Sequence, residues 1–136
     1  MRISLNWIKS LIPGFKVESY DVLFKDMVGI GLDIESIENE REKFNNFVVG
    51  EVLETAKHPN ADKLTVCKVS TGDKTLSIVC GASNVAAGQK VCVAKIGAVI
   101  PRGGFEIKKS KIRGEISEGM ICAEDELGLS DDHSGI

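Results

Sequence analysis

From residue 44 the chain settles into short β-branched runs separated by turns rich in glycine and asparagine. Alternation and β-branched content predict strands over 47–55, 64–70, 75–80, 91–96, 105–116 and 120–123. Thr71-Gly72-Asp73 reads as a tight hairpin turn, and Gly50 as a bulge inside the first strand. Many short strands in so little chain suit a small sheet closed on itself, which leaves no long edge exposed.

The segment in front is different. Residues 1–3 read as a brief strand. Ser4 is placed to cap a helix in which Leu5, Ile8, Leu11 and Ile12 recur at helical spacing, and Pro13-Gly14 stops it. Ser19 is placed to cap a second helix, with Leu23, Phe24, Met27 and Val28 along one side. Two short helices cannot close a core. Residues 1–39 are therefore expected to be a helical piece of a discontinuous domain, packed on something else, with 40–136 as the barrel domain. The charged stretch 35–43 reads as a linker or solvated edge. The expected fold is mainly β: a closed OB-fold barrel of five to six strands behind a two-helix segment, with an SH3-like barrel as the alternative.

A net charge of −3 conceals three blocks: −4 over residues 1–56, +8 over 57–113 and −7 over 114–136. The basic block points to a polyanion, because the local field outweighs the sum. Its densest part is Lys108, Lys109, Lys111 and Arg113, read as a cationic strand whose charges could each neutralise a phosphate. The competing reading is a solvated edge strand whose lysines prevent sheet-to-sheet association. Ser117 could donate to a phosphate and Glu118 could accept from a base amine or a 2′-hydroxyl; alternatively both bond the barrel's own backbone. Lys63 and Asn84, on loops at strand ends, complete the RNA-contact candidates. Only Phe44, Phe47 and Phe105 are aromatic in the barrel, which makes a poor stacking platform. Shape and phosphate contact to a folded RNA fits better.

Other chemistry finds little support. Asn60 reads as the cap of a coil over 61–64, and His58 with Asp62 lacks a further ligand at metal spacing. No nucleophile, base and orienter can be assembled. Cys67, Cys80, Cys92 and Cys122 form no CxxC pair and read as reduced thiols of a cytoplasmic protein. No apolar run approaches the ~20 residues of a membrane helix.

Three ordered motifs carry a resemblance. His58-Pro59-Asn60-Ala61-Asp62-Lys63-Leu64, Ile78-Val79-Cys80-Gly81-Ala82, and Arg113-Gly114 leading into Ser117-Glu118-Gly119-Met120 resemble the tRNA-binding OB domain of synthetases and their accessory proteins. The leader from Met1 to Lys9 and the tail from Glu126 to Ile136 resemble the bacterial phenylalanyl-tRNA synthetase beta subunit, so the resemblance spans the chain as an N-terminal fragment of that subunit. Ala123 stands where relatives often carry serine before the acidic turn. The resemblance implies tRNA, specifically phenylalanine tRNA, as partner, together with the rest of beta and an alpha subunit in a heterotetramer. It implies ATP and magnesium for the whole ligase, aminoacylation in alpha, editing later in beta, and neither cofactor nor active site here. The role it supports is auxiliary tRNA binding. A bracing domain without RNA contact is the alternative, and a free-standing tRNA chaperone a third reading.

Overall fold

The computed structural model describes residues 2–136. The chain forms two compact units, Met1–Glu38 and Asn39–Ile136. In the first, α1 (Leu5–Leu11) is capped by Ser4, whose hydroxyl accepts from the Trp7 N–H at 3.3 Å. Helix α2 (Tyr20–Gly29) begins after Ser19, which makes no side-chain cap bond, so its expected capping role is not realised. Residues 2 and 3 are not in a strand, and Met1 lies outside the described residues. No side chain of either helix is buried: Trp7, Leu11, Val22 and Val28 all stand in the open.

The second unit starts with a short helix, α3 (Glu40–Lys43), where the charge pattern suggested a linker or solvated edge. Seven strands follow: β1 (Phe47–Lys57), β2 (Thr65–Ser70), β3 (Thr75–Cys80), β4 (Lys90–Lys95), β5 (Ser110–Ile112), β6 (Glu115–Ser117) and β7 (Gly119–Cys122). Five make an antiparallel sheet in the order β3-β2-β1-β4-β7, and β5 and β6 form a separate hairpin. The long β1 pairs with β4 through its first half and with β2 through its second, so it carries the bend that curls the sheet. The bulge lies between Val52 and Glu54, not at Gly50. Gly50 sits in regular register, and a Cβ there would come within 2.8 Å of both Val69 Cγ1 and Val93 Cγ2. Close packing explains this glycine, not a bulge.

Curling brings the edge strands β3 and β7 together. The seam is sparse. Glu118 N–H donates to the Ser77 carbonyl at 2.8 Å, and Val79 N–H donates to Ser117 Oγ at 3.1 Å. A side-chain hydroxyl thus stands where a ladder would have a strand carbonyl. The result is a nearly closed, mainly β barrel of the OB type, as the strand cadence predicts. Inside it pack Val52, Cys67, Val69, Ile78, Cys80, Val91, Val93 and Ile121. Ala94 and Cys122, on the opposite parity of β4 and β7, belong to a second core with Ala98, Ile100 and Ile107, flanked by Phe47, Met120 and Leu127. Met120 is thus a packing residue. All four cysteines are free thiols. Burial, with the neighbouring Cys80 adding to it, pushes Cys67 up to about 11, which leaves little thiolate to react.

Candidate nucleic-acid interface

The basic stretch is not one strand. It folds at Arg113-Gly114 into the β5–β6 hairpin, with Ser110 opposite Ser117, Lys111 opposite Ile116 and Ile112 opposite Glu115. The two turn residues have φ of 48° and 109°, as a two-residue primed turn requires. Asparagine, aspartate or glycine is the usual occupant of such a position; here an arginine holds the left-handed backbone. The turn lifts Arg113 to the hairpin tip, and Lys111 beside it is exposed.

The four cations divide. Lys109 Nζ lies 2.8 Å from Glu118 Oε1, and this bond with its accompanying charge holds the Glu118 carboxyl below its ordinary value. Lys108 stands 3.9 Å from Glu106 and, with Ser110 and Ile112, lines a cleft of about 450 Å³. Lys111 alternates away from those two. Among the described residues, Lys111 and Arg113 form no ion pair, and Lys63, exposed on the turn before β2, forms none either.

Two other candidates are engaged within the fold. Ser117 is 2% exposed; its hydroxyl accepts from Val79 and donates to the Gly119 carbonyl at 2.9 Å. Asn84 clasps the tail backbone, donating to the Ile136 carbonyl at 2.8 Å and accepting from its N–H at 3.1 Å. A Cβ at Gly135 would fall 2.4 Å from Asn84 Nδ2, so only glycine fits beneath that clasp.

The acidic tail pairs elsewhere than with the lysines. Arg102 lies 3.3 Å from Asp131 and 3.8 Å from Asp125, and His133 Nδ1 is 3.0 Å from Asp125 Oδ2. The bond to Asp125, then its charge, raises His133; the bond to His133 lowers Asp125. The raised histidine contributes stability fully below its ordinary 6.5, lost as pH climbs through its raised value. The lowered aspartate contributes above its ordinary 3.8, lost as pH falls through its lowered value. Amide exchange of residues 133–136 should therefore quicken as pH rises from about 6 to about 8, beyond the intrinsic rate, and His133→Ala should remove that excess. Equal excess in both proteins would contradict a role for the His133–Asp125 bond in holding the tail.

Sequence reasoning overlooked how the hairpin is held. Asn60 does not cap a coil; its Nδ2 donates to the Arg113 carbonyl at 3.1 Å, and 61–64 is a simple turn. His58 is buried against the same hairpin, its Nε2 3.0 Å from the Ile112 carbonyl. The motif from His58 to Leu64 was visible, but nothing in it names a partner more than 50 residues away. Among the described residues, no three histidine, cysteine, aspartate or glutamate side chains gather for a metal, and no helix is long and apolar enough to cross a membrane.

The family model described as "Putative tRNA binding domain" matches residues 47–136, the whole barrel with its hairpin and tail. The chain belongs to this tRNA-binding domain family. Over its full length it is also similar to curated proteins called phenylalanine–tRNA ligase beta subunit. It is 50% identical to that of Dickeya dadantii over 138 residues and 50% to that of Oleidesulfovibrio alaskensis. It is 44% identical to that of Syntrophus aciditrophicus over 137 residues. All of this chain is covered in each case, but it spans only 16–17% of the length of these relatives. The solved C-terminal domain of Plasmodium vivax p43 overlaps at a TM-score of 0.44 and 29% identity, over 56% of this chain and 44% of that one. Within the tRNA-binding domain family, then, this member presents two cations without an ion pair, Lys111 and Arg113, on a hairpin outside the five-stranded sheet.

Proposed function

We propose that this chain is an auxiliary tRNA-contact module of a phenylalanine–tRNA ligase beta subunit, and that the β5–β6 hairpin meets the phosphate backbone of a folded tRNA. The observation that carries this reading is the turn at Arg113-Gly114, which holds Arg113 at an exposed tip beside Lys111 with, among the described residues, no carboxylate in an ion pair with either. Lys63 is a third contact. Lys109 joins by exchanging its Glu118 partner for a phosphate, and Lys108 contributes from the cleft wall. Glu118 then serves as the group that releases Lys109. Ser117 and Asn84, bonded within the fold, act through shape and not by touching RNA. The partners are phenylalanine tRNA, the remainder of the beta subunit and an alpha subunit, in the cytoplasm. Aminoacylation, with its ATP and magnesium, takes place elsewhere in that assembly.

Filter binding of tRNA across a salt series tests this. Affinity should fall linearly on a log–log plot, with a slope of about −2 to −4 for a few neutralised phosphates. Binding indifferent to salt would overturn a phosphate-led contact. A second reading is favoured by one observation: Trp7, Leu11 and Ile12 are more than half exposed, a set of apolar side chains suited to bracing another part of a larger subunit.

A further inference from the structure

The hairpin that carries Lys111 and Arg113 is small. Its two strands have three residues each, and it is no part of the five-stranded sheet. An isolated two-stranded ribbon of that size is not stable in water. Ser117 and Glu118 tie the base of β6 to β3, but the tip that carries the cations needs a further hold. The loop between β1 and β2 supplies two bonds to successive carbonyls: His58 Nε2 to Ile112 at 3.0 Å, and Asn60 Nδ2 to Arg113 at 3.1 Å.

The histidine's protonation state follows from its other nitrogen. Nδ1 accepts the Asn60 N–H at 3.0 Å, so it carries the lone pair. The ring proton is then on Nε2, where it donates to the Ile112 carbonyl. His58 is 2% exposed, and both of its ring bonds are part-buried. The fit extends to the turn glycine, where a Cβ on Gly114 would lie 3.2 Å from Asn60 Nδ2. Loop and hairpin tip therefore fit each other through a ring, an amide and a missing methyl.

We infer that His58 and Asn60 are positioning residues for RNA contact, presetting the hairpin so that tRNA meets two fixed cations instead of a mobile loop. This rests on the reading of the hairpin as the RNA-contact element. A preset site spares the cost of ordering those side chains during binding.

Two substitutions at one position separate the roles of the ring. His58→Gln retains an amide N–H near the place of Nε2 and loses the acceptor at Nδ1. His58→Asn retains an acceptor near Nδ1 and falls short of Ile112. Two readouts apply: amide exchange of residues 110–117, and affinity for unfractionated tRNA across salt. The Asn variant should exchange faster at Lys111 to Glu115. It should also bind tRNA roughly tenfold more weakly, the ordering cost of about two long side chains, with the salt slope unchanged because the same phosphates are neutralised. The Gln variant should stay near the unsubstituted chain in both. Should the Asn variant fail to fold, Asn60→Ala, at an exposed position, removes the Arg113 bond alone and should show the same changes to a lesser degree. Identical exchange in the unsubstituted chain and the variants that fold overturns the clamp. If exchange separates them while tRNA affinity does not, the positioning role falls and the RNA-contact reading stands. If the unsubstituted chain binds no tRNA, the RNA-contact reading falls, and the positioning role with it.

Discussion

Reversing both unpaired cations of the hairpin, Lys111→Glu with Arg113→Glu, should lower tRNA affinity by at least about tenfold and flatten the salt slope by about two. The fold should survive. Both side chains are exposed, and the left-handed backbone at 113 asks no more of glutamate than of arginine. Lys109→Glu alone should do less than reversal at Lys111, because its ammonium already bonds Glu118 at 2.8 Å. Filter binding with circular dichroism on the same samples checks both points. Unchanged affinity in a folded double variant would favour the bracing role.

The largest stability effect should come from Ile78→Ala. Ile78 has no exposed surface, and its Cδ1 would lie 3.4 Å from a Cβ on Gly119 across the seam. Removing most of that side chain where the barrel is held by few bonds should cost about 2–5 kcal/mol. For a domain of this size that is a fall in thermal midpoint of roughly 10–25 °C. Ile116→Ala is the matched control: Ile116 is 47% exposed and should change stability by no more than about 0.5 kcal/mol. Melting followed by circular dichroism compares them. A midpoint for Ile78→Ala within a few degrees of the control would show that the interior is looser than its burial implies.

Most strands were legible because their signal is local. β3 falls on the expected residues and β2 starts one residue later, since alternating β-branched runs bounded by turn residues leave few choices. The hairpin was not legible. Arg113-Gly114 lacks the asparagine or aspartate that marks a primed turn, and the lysines around it mask alternation. Its geometry depends on Asn60 and His58, which tertiary structure delivers from far away. The same applies to Asn84 and Ser117. Their residue types suited a ligand, but the tail and the seam take them first. Sequence could nominate the cationic stretch; it could not sort Lys111 and Arg113 from Lys109, because that sorting is set by where one glutamate side chain reaches.

The crowding around Gly50 has a wider meaning. At that waist two valine methyl groups leave no room for even one more carbon. The cylinder is filled at this level by Val69 and Val93. The proposed RNA contact at Lys111 and Arg113 stands on the outer skin, on a hairpin that is no part of the five-stranded sheet forming this waist.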